Sequence, residues 1–472
     1  MTPNIDLLDL SCFTASREHD LFRTLRDFDT IHYSPEANGP GFYSLTRYDH
    51  VLSGARNHTH LISGEGTQIA DRRAEGHGHA SVHNSDGMSH SHLRSIVLAA
   101  LSRHSVMARY DRIRHITQGL VDAIVSDETF DFVAQIAVRL PMLVIADVLG
   151  VPPENAERLV GWANLMSDVQ ASDAQQADAR NALYAFFSEL AEDKRRHPAQ
   201  DVATALVAAD LESSALDAYF MLLTVAGNET TRFLLSGGLA QLCRQPEDFA
   251  RVRADRALIA PLIDEMARFV SPVTHMRRTT STEVDLFGTP VPKGAKVVLW
   301  FASANRDERQ FTNPDRLTID RVSNLHLGFG AGAHFCVGAH LARLEVSLFL
   351  NAFFDRFAGI KLMAEPVRLR SNWFTGWTEM IGARLLTARM LAGSCVPGRP
   401  ATCAMPSSEP LKHSATRAMA VGSVRSQSIC TPARSSPIAS LPSSVISAAP
   451  MPLAAPVTRM AISSAPSFPS SR

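Results

Sequence analysis

The chain has 472 residues, a formal net charge of -1 and a hydrophobic content of 45%. This length and composition allow a large buried core, and the near-neutral charge gives no reason to expect nucleic acid or an anionic membrane as a partner. The first 20 residues carry acids within their apolar stretch and lack a basic start, which excludes a signal peptide and a membrane-spanning helix there. We therefore expect a cytoplasmic protein.

The six cysteines indicate no structural scaffold. They stand at positions 12, 243, 336, 395, 403 and 430, and none belongs to a C-x-x-C pair. Zinc sites and disulfide frameworks both need several suitably spaced cysteines. The spacing therefore predicts neither.

The chain before residue 395 is predicted to be mainly α-helical, with small β-sheets at one side and no internal repeat. Residues 212–249 form one long apolar helical pattern that ends near Pro246, and residues 255–272 form another that Pro272 stops. A short strand is predicted in 41–51. Hairpins are predicted in 283–301 and 365–386, where β-branched residues and turn glycines occur.

The stretch AGNETTR, residues 226–232, contains residue types that destabilise the interior of a helix. A glycine there costs about 1 kcal/mol relative to alanine, and threonine hydroxyls compete for backbone carbonyls. One interpretation is an ordinary helix of reduced stability. The other is a local opening of the helix, where the Thr230 hydroxyl and a water lie beside a bound ligand.

Glu265 and Arg268 are one helical turn apart in the second helix. This spacing places both side chains on one helix face, where they can form an ion pair. Taken alone, such a pair is most simply interpreted as solvent-exposed.

Glycines surround Cys336 in HLGFGAGAHFCVGAHLARLE, residues 326–345. Gly330, Gly332 and Gly338 can adopt positive φ or let the backbone approach a flat ligand. A helical run follows Cys336, and the N–H groups at a helix N-terminus stabilise a thiolate. The residues alone leave two interpretations open, a single soft metal ligand and a small buried apolar residue.

The motif F-G-x-G-x-H-x-C-x-G, from Phe329 to Gly338, resembles the haem-binding loop of the cytochrome P-450 family. The resemblance covers roughly residues 15–390. It implies the cytochrome P-450 fold, a triangular helical body with haem b between the long central helix and the Cys-loop helix. Cys336 would ligate the iron, Phe329 would shield the sulfur, Gly330 and Gly338 would form the bulge under the porphyrin, and His334 would reach a haem propionate.

The same resemblance gives AGNETTR a role as the oxygen-binding groove. Ala226 and Gly227 would make room for dioxygen, Thr230 would hold the proton network, and Glu229 would carry protons from solvent. In the family, the Glu265–Arg268 pair is structural and is joined by a later arginine, which we assign to Arg316 in Pro314-Asp315-Arg316.

Two further segments resemble the propionate-binding parts of the family. DGMSHSHLR, residues 86–94, places His90 and Arg94 on one helix face, although Gly87 and Met88 replace the two prolines of the family pattern. In the second segment, residues 274–285, aligning the following hairpin with that of the family places Arg278, rather than Arg277, toward the second propionate. Carboxylates call for such cations and hydrogen-bond donors.

The substrate is expected above the haem, against residues 71–89 and two later segments. Their candidate residues are Val273, Thr274, Met276, Trp373 and Phe374. Because these segments are apolar or mixed, the resemblance implies a terpenoid (diterpenoids included), steroid or fatty-acid-like substrate.

The resemblance implies a monomeric monooxygenase that inserts one oxygen atom from O₂. Its electrons would come from NAD(P)H through a ferredoxin reductase and a ferredoxin. The ferredoxin would dock on a basic patch whose candidates are Arg103, Arg109, Arg112, Arg114 and Arg343. A peroxide-driven haem-thiolate oxidase and a non-catalytic haem sensor remain alternatives, whereas a cysteine hydrolase is disfavoured because no His–Asx pair is placed to activate Cys336.

The composition changes near residue 395. Residues 395–472 are rich in Ser, Pro and Ala and show no periodic apolar face. Such a segment cannot bury enough apolar area to offset the entropy of ordering. We predict two parts, a haem-thiolate domain over residues 1–394 and a disordered tail over 395–472.

Overall fold

The computed structural model describes residues 5–386, apart from residue 29 and the segments 72–80, 125–128 and 168–170. These residues belong to one unit, Met1–Arg399. The predicted tail, 395–472, lies outside the described residues. Residues 72–80 of the predicted substrate segment 71–89 also lie outside them.

The described residues form mainly α-helices. In chain order they are α1 (Leu10–Thr14), α2 (Glu18–Arg26), α3 (Tyr48–Arg56), α4 (Gly87–Leu98), α5 (Arg103–Met107), α6 (Tyr110–Ala123), α7 (Arg139–Leu149), α8 (Pro153–Ser167), α9 (Asp173–Arg196), α10 (Val202–Ala208), α11 (Ser213–Cys243), α12 (Pro246–Ala254), α13 (Ile259–Val270), α14 (Phe301–Ala304) and α15 (Ala339–Arg356). None of the described helices is both long and apolar enough to cross a membrane.

The strands are short and form four small sheets. They are β1 (His32–Ser34), β2 (Phe42–Leu45), β3 (Leu61–Ile62), β4 (Thr129–Asp131), β5 (His275–Thr280), β6 (Val284–Leu286), β7 (Thr289–Val291), β8 (Lys296–Trp300), β9 (Phe357–Leu362), β10 (Val367–Arg368), β11 (Trp377–Glu379) and β12 (Ile381–Leu386). The largest sheet has the order β1-β2-β8-β5-β3, and a second has the order β4-β12-β9. The pairs β6–β7 and β10–β11 are antiparallel.

The main core lies around α11, whose buried residues recur on every side of the helix. Helices α7, α9, α13 and α15 pack against it. Two smaller apolar clusters lie on the five-stranded sheet. Most of α11 is enclosed by these helices, whereas Ala226 near its middle is exposed.

The two long predicted helices are confirmed, and their ends have local causes. Helix α11 ends at Cys243, and Pro246 occupies the first turn of α12, where its missing N–H costs nothing. Helix α13 ends where Ser271 takes a left-handed conformation with φ 47° immediately before Pro272.

The prediction of a strand over 41–51 is correct only in its first half. The strand β2 stops at Leu45, and Tyr48–Arg56 forms the helix α3. In that helix Val51, Gly54 and Ala55 are buried at helical spacing. The short apolar run did not distinguish the two periodicities, and packing against the sheet decided between them.

A π-helical turn, Val133–Ala137, precedes α7. It contains the hydrogen bond from the Val138 N–H to the Val133 carbonyl at 2.9 Å. Pro141 lies in the first turn of α7 and cannot donate an N–H to the carbonyl four residues earlier. The wider turn accommodates this missing hydrogen bond and carries the chain into α7 beside α11.

Candidate functional site

The loop before α15 presents Cys336 at the amino end of that helix. The Cys336 N–H donates to the Phe329 carbonyl at 2.9 Å, which folds the loop back on itself. Gly330 and Gly332 have φ of 71° and 69°, a region that favours glycine. A Cβ on Gly332 would lie 2.4 Å from the Ala55 carbonyl oxygen, so this glycine also lets the loop pack against α3.

The Cys336 side chain is exposed at the surface of the protein, yet protein atoms surround it closely enough to desolvate the sulfur. Both observations fit a thiol at the bottom of a recess. Burial raises the pKa of this thiol, against the opposing effects of the Gly338 N–H and the cations of Arg94 and Arg343. A positive partner such as a metal ion would favour the thiolate.

Phe329 is held beside this loop by charged neighbours. The Arg343 guanidinium lies 4.4 Å from the centre of the Phe329 ring and donates to Asp264 at 2.9 Å. His326 also contacts Asp264, at 3.5 Å. The stacking of Arg343 on Phe329 and the contacts to Asp264 fix the orientation of the Phe329 ring. Its shielding of the sulfur stays a prediction.

Four cationic or imidazole side chains from separate elements meet on one side of the loop. His90 and Arg94 come from α4, Arg278 from β5 and His334 from the loop itself. The centres of the His90 and His334 rings are 4.2 Å apart. Arg278 and Arg94 lie close enough to His334 for their charges to lower its pKa. The structure therefore brings these four predicted residues together.

Three of these groups are anchored to the protein. Arg94 donates to the Phe335 carbonyl at 2.7 Å, and His334 Nε2 lies 3.1 Å from Ser63 Oγ. Arg278 donates to the Arg277 carbonyl at 2.8 Å. Burial, together with the positive charges of Arg278, His90 and Arg94, lowers the pKa of His334 to about 3.

Arg278 and its neighbour Arg277 have different partners. Arg277 forms an ion pair with Asp71. Arg278 is buried and forms no ion pair with any described residue, and burial lowers its pKa to about 10. A buried guanidinium without a carboxylate is costly, so this group is suited to an anion supplied by a ligand.

These observations test whether the residues fit a haem. The buried His90 Nε2 has no hydrogen-bond partner among the described residues, and Arg278 lacks an acid there. Two propionates would satisfy both groups, and the accessible Cys336 sulfur would supply the iron ligand. The residues fit the cofactor.

Thr230 lies in an unbroken part of α11. Its hydroxyl donates to the Ala226 carbonyl at 2.8 Å, and the helix runs continuously from Ser213 to Cys243. The local backbone opening that the sequence suggested is therefore absent, because the threonine hydroxyl adds a hydrogen bond to the carbonyl four residues back without displacing the helix. Ala226 is exposed and Thr230 is half-buried.

The structure gives Gly227 a packing role, and its predicted role beside dioxygen stays a prediction. A Cβ on Gly227 would lie 2.4 Å from Ile145 Cδ1 of α7. The missing side chain thus makes room for a neighbouring helix, and the space beside it is filled by protein. Of the predicted dioxygen pair, Ala226 is exposed and Gly227 is half-buried.

Glu229 is buried in α11 next to a cation. Its Oε1 lies 3.6 Å from the Arg232 guanidinium, and both side chains are largely buried. A proton that passes through Glu229 would therefore do so beside Arg232.

The ion pair between Glu265 and Arg268 is joined by a different arginine from the predicted one. Glu265 and Arg268 are fully buried and joined by two hydrogen bonds of 2.7 and 2.8 Å. The third cation is Arg321, which donates to both Glu265 oxygens at 3.1 and 3.2 Å. Burial would raise the pKa of Glu265, but the hydrogen bonds from Arg268 and Arg321 outweigh it and lower the pKa.

The assignment of Arg316 is therefore corrected to Arg321. The Arg316 side chain is 69% exposed and lies 3.9 Å from Asp248. Arg316 contributes through its backbone, since its carbonyl accepts from Arg268 at 2.9 Å. Sequence reasoning missed Arg321, although an arginine a few residues after a proline-containing turn was the available signal.

The predicted substrate residues come together around the start of β5. Val273 forms a backbone bridge with Phe374, and the Thr274 N–H donates to the Trp373 carbonyl at 2.8 Å. Phe374 packs toward α11 through Phe233, with ring centres 5.9 Å apart. These contacts tie the last hairpin to the β5 side of the predicted site.

Thr274 and Met276 differ in accessibility. Thr274 is fully buried, and its hydroxyl lies 2.9 Å from that of Thr375, so it supports the wall of the site from behind. Met276 is half-buried on the same strand face as Arg278.

The expected basic patch is largely neutralised. Four of its five candidates form ion pairs with acids: Arg109 and Arg112 with Asp147, Arg114 with Asp111, and Arg343 with Asp264.

Comparisons with known proteins show which family this chain is similar to. The cytochrome P450 family model matches residues 161–373. Linalool 8-monooxygenase of Pseudomonas putida is 32% identical over 394 residues, with 79% of this chain and 96% of the relative covered. Steroid C26-monooxygenase of Mycolicibacterium smegmatis is 30% identical over 431 residues, with 85% and 99% covered.

A solved structure agrees with these relatives. A cytochrome P450 of Mycobacterium marinum in complex with pseudoionone superposes with a TM-score of 0.75 and 30% identity, covering 79% of this chain and 96% of that one. The fold and the site thus define a haem-thiolate monooxygenase. The chain belongs to the cytochrome P450 family.

Proposed function

We propose that this cytochrome P450 inserts one oxygen atom from O₂ into a terpenoid-like apolar molecule, with steroids and fatty-acid-like molecules as the neighbouring classes. The observation that carries the proposal is the accessible Cys336 thiol in its glycine loop, together with the carboxylate-free Arg278 nearby. The similarity to an enzyme named for linalool, one named for a steroid and a structure holding pseudoionone supports the substrate class.

Haem b would be held by Cys336 through the iron and by Arg94, Arg278, His90 and His334 through the propionates. When bound, it supplies O₂ activation and the redox chemistry. The residues of the chain then have defined tasks. Phe329, which Arg343 orients, would cover the sulfur side, and the helices packed around α11 would limit the access of bulk water to the opposite side.

Protons would reach the distal side through two residues of α11. Thr230 carries a hydroxyl whose own proton is already donated to Ala226, so its oxygen remains able to accept and its hydroxyl can be reoriented toward a ligand. Glu229 would exchange protons with solvent beside Arg232.

Electrons would come from NAD(P)H through a reductase and a ferredoxin, with the chain acting as a monomer. Since four arginines of the expected patch are paired with acids, these four would attract an acidic ferredoxin less strongly than the sequence suggests.

The test is a spectral titration of the haem-loaded protein with a panel of terpenoids, steroids and fatty acids. A ligand that enters the site shifts the Soret band. We expect the largest shift with a terpenoid, followed by product formation when ferredoxin, reductase and NAD(P)H are added. A shift only with steroids or only with fatty acids would reassign the substrate class. A shift without product under these conditions would contradict the proposed reaction.

A further inference from the structure

Helix α4 carries His90 and Arg94 but buries few apolar side chains. Its buried residues are His90, Leu93 and Val97. Helix α10 and the turn Val82–Asn84 pack against it. Because the stability of a short helix comes mainly from packing of its apolar face, polar contacts have a larger share in setting the position of α4.

The start of α4 is held by the carboxylate of Asp86. Its oxygens accept from the Ser63 N–H at 2.9 Å and from the Gly64 N–H at 2.7 Å. The Ser63 hydroxyl also lies 3.1 Å from His334 Nε2. This end of the helix is therefore fixed to the segment after β3.

The middle of α4 is held from α11 by Tyr219. This side chain is fully buried, and its hydroxyl lies 2.7 Å from the Leu93 carbonyl oxygen. Burial raises the pKa of Tyr219 to about 12, so the phenol keeps its hydrogen and donates it. A carbonyl that accepts from the N–H four residues later in its helix has a second lone pair, so this contact leaves the helix intact.

The carbonyl that Tyr219 bonds belongs to the peptide group that joins Leu93 to Arg94. A peptide group is planar, so a hydrogen bond to its oxygen also fixes the backbone nitrogen of Arg94. The Arg94 guanidinium donates at 2.7 Å to the Phe335 carbonyl, which belongs to the peptide group that joins Phe335 to Cys336. Two hydrogen bonds and one side chain therefore connect Tyr219 with the backbone of Cys336.

We propose that Tyr219 is a positioning residue for the haem and for its sulfur ligand. Its hydroxyl holds α4 at the level of Arg94, so that the guanidinium reaches both the Cys336 loop and a haem propionate. Without the hydroxyl, α4 keeps its other contacts, so the hold on the haem weakens while the fold persists. The proposal depends on haem binding at Cys336 and not on which molecule is oxidised there.

The experiment compares haem loss from the haem-loaded protein and from Tyr219→Phe, which removes the hydroxyl and keeps the buried ring. An excess of apomyoglobin captures the released haem, and absorption follows the transfer. We expect haem loss to be about fivefold faster in Tyr219→Phe, the factor that one buried hydrogen bond typically carries. The red-shifted band of the reduced, CO-treated variant should also convert faster to a short-wavelength band, because the Cys336 loop is held less firmly.

Thr224→Val is the matched control. Thr224 is buried on the same helix, and its hydroxyl donates at 2.9 Å to the Phe220 carbonyl of α11 itself. Both variants therefore remove one buried hydroxyl that donates to a backbone carbonyl, but the Thr224 contact stays within α11. Urea unfolding of the haem-loaded variants shows whether their stabilities match. At matched stability, Thr224→Val should lose haem at nearly the rate of the unchanged chain.

An Arg94→Gln background tests the route. If Tyr219 acts through Arg94, the effect of Tyr219→Phe on haem loss should largely disappear in that background. Three results would overturn the proposal: an unchanged rate of haem loss in Tyr219→Phe, an equal acceleration in Thr224→Val, and an effect of Tyr219→Phe that persists in full without Arg94. The two single variants decide the outcome even where Arg94→Gln retains too little haem. None of these measurements uses a substrate, so they are independent of the proposed reaction.

Discussion

Cys336 differs from the other two described cysteines in its surroundings. Cys12 is buried, and burial raises the pKa of its thiol. Burial raises the pKa of Cys243 to about 12. Cys336 is accessible and lies two residues before the glycine that caps α15. Of these three thiols, it is the one that a metal ion can reach.

We therefore expect Cys336→Ser to lose the red-shifted absorption band of the reduced, CO-treated protein, together with oxygenation, even where haem is retained. The serine oxygen is a harder and less electron-rich ligand than a thiolate. Cys12→Ser and Cys243→Ser serve as controls and should keep the band. A normal band in Cys336→Ser would show that another residue ligates the iron.

Thr230→Ala should separate substrate binding from productive turnover. Without the hydroxyl, proton arrival is not positioned, so much of the reductant is expected to end as hydrogen peroxide while the substrate-induced Soret shift stays nearly normal. General acid assistance is typically worth about 10²–10⁴-fold. The measurement is product formed per NAD(P)H consumed, with Thr230→Ser as the control that keeps a hydroxyl. Tight coupling in Thr230→Ala would exclude this role.

Glu229→Gln should slow turnover and enlarge the solvent isotope effect without a comparable rise in peroxide. The change removes the exchangeable carboxyl proton and keeps the shape of a side chain that is buried beside Arg232. Rates measured in H₂O and D₂O test this expectation. An unchanged rate with an unchanged isotope effect would mean that protons take another route.

The two arginines assigned to the Glu265 pair give a direct comparison. Arg321→Met removes a partner of a buried carboxylate and should destabilise the protein by about 3–5 kcal/mol. Arg316→Met removes an exposed side chain and should cost less than about 1 kcal/mol. Urea unfolding of the haem-loaded variants measures both. Equal losses would contradict the assignment of Arg321.

At the scale of elements, α7 and α11 approach closely at one point. The point is Gly227, where an added Cβ would lie 2.4 and 2.6 Å from Ile145 Cδ1 and Cγ1. An added methyl that close would force the Ile145 side chain or one of the helices to move, because protein interiors are densely packed. The glycine thus sets the distance between the two helices, and with it the position of Ala226 and Thr230.

Gly227→Ala should destabilise the protein by about 1–3 kcal/mol through overpacking, despite the better helix propensity of alanine. Gly119→Ala in α6 is the matched control, because nothing lies within 4 Å of its added Cβ; it should be neutral or stabilising. In an Ile145→Ala background the cost of Gly227→Ala should vanish. Urea midpoints of the four variants test the coupling, and a cost that persists without Ile145 would contradict it.

The sequence predicts elements better than it predicts their contacts. The long helices and the hairpins follow from local periodicity and from prolines such as Pro246 and Pro272, and they are confirmed. The packing of Ile145 against Gly227 depends on two segments about 80 residues apart, and no local pattern encodes it. The choice between Arg316 and Arg321 likewise depends on tertiary contacts, since Arg321 reaches both Glu265 oxygens and the Arg316 side chain is exposed.

At the scale of the whole molecule, the site is assembled from segments distant in sequence. His90 and Arg94 lie on α4, Arg278 lies on β5 and Cys336 precedes α15. The side chains from α4 and β5 are polar or positively charged and lie on one side of the Cys336 loop. A haem with two carboxylates would bind them there and so stabilise the folded protein. Haem uptake therefore reports whether the separate segments are folded together.

The proposed boundary near residue 394 can be tested by measuring haem uptake. We expect a chain that ends at Gly393 to bind haem with full occupancy, because residues 395–472 lack the periodic apolar residues that a core requires. The control is a chain that ends at Glu379. It removes β12, the central strand of the β4-β12-β9 sheet, and should lose much of its haem, since β4 and β9 would have no partner strand. The measurement is the ratio of haem to protein after purification, with thermal unfolding as a second readout. Loss of haem in the chain that ends at Gly393 would mean that the tail is part of the fold.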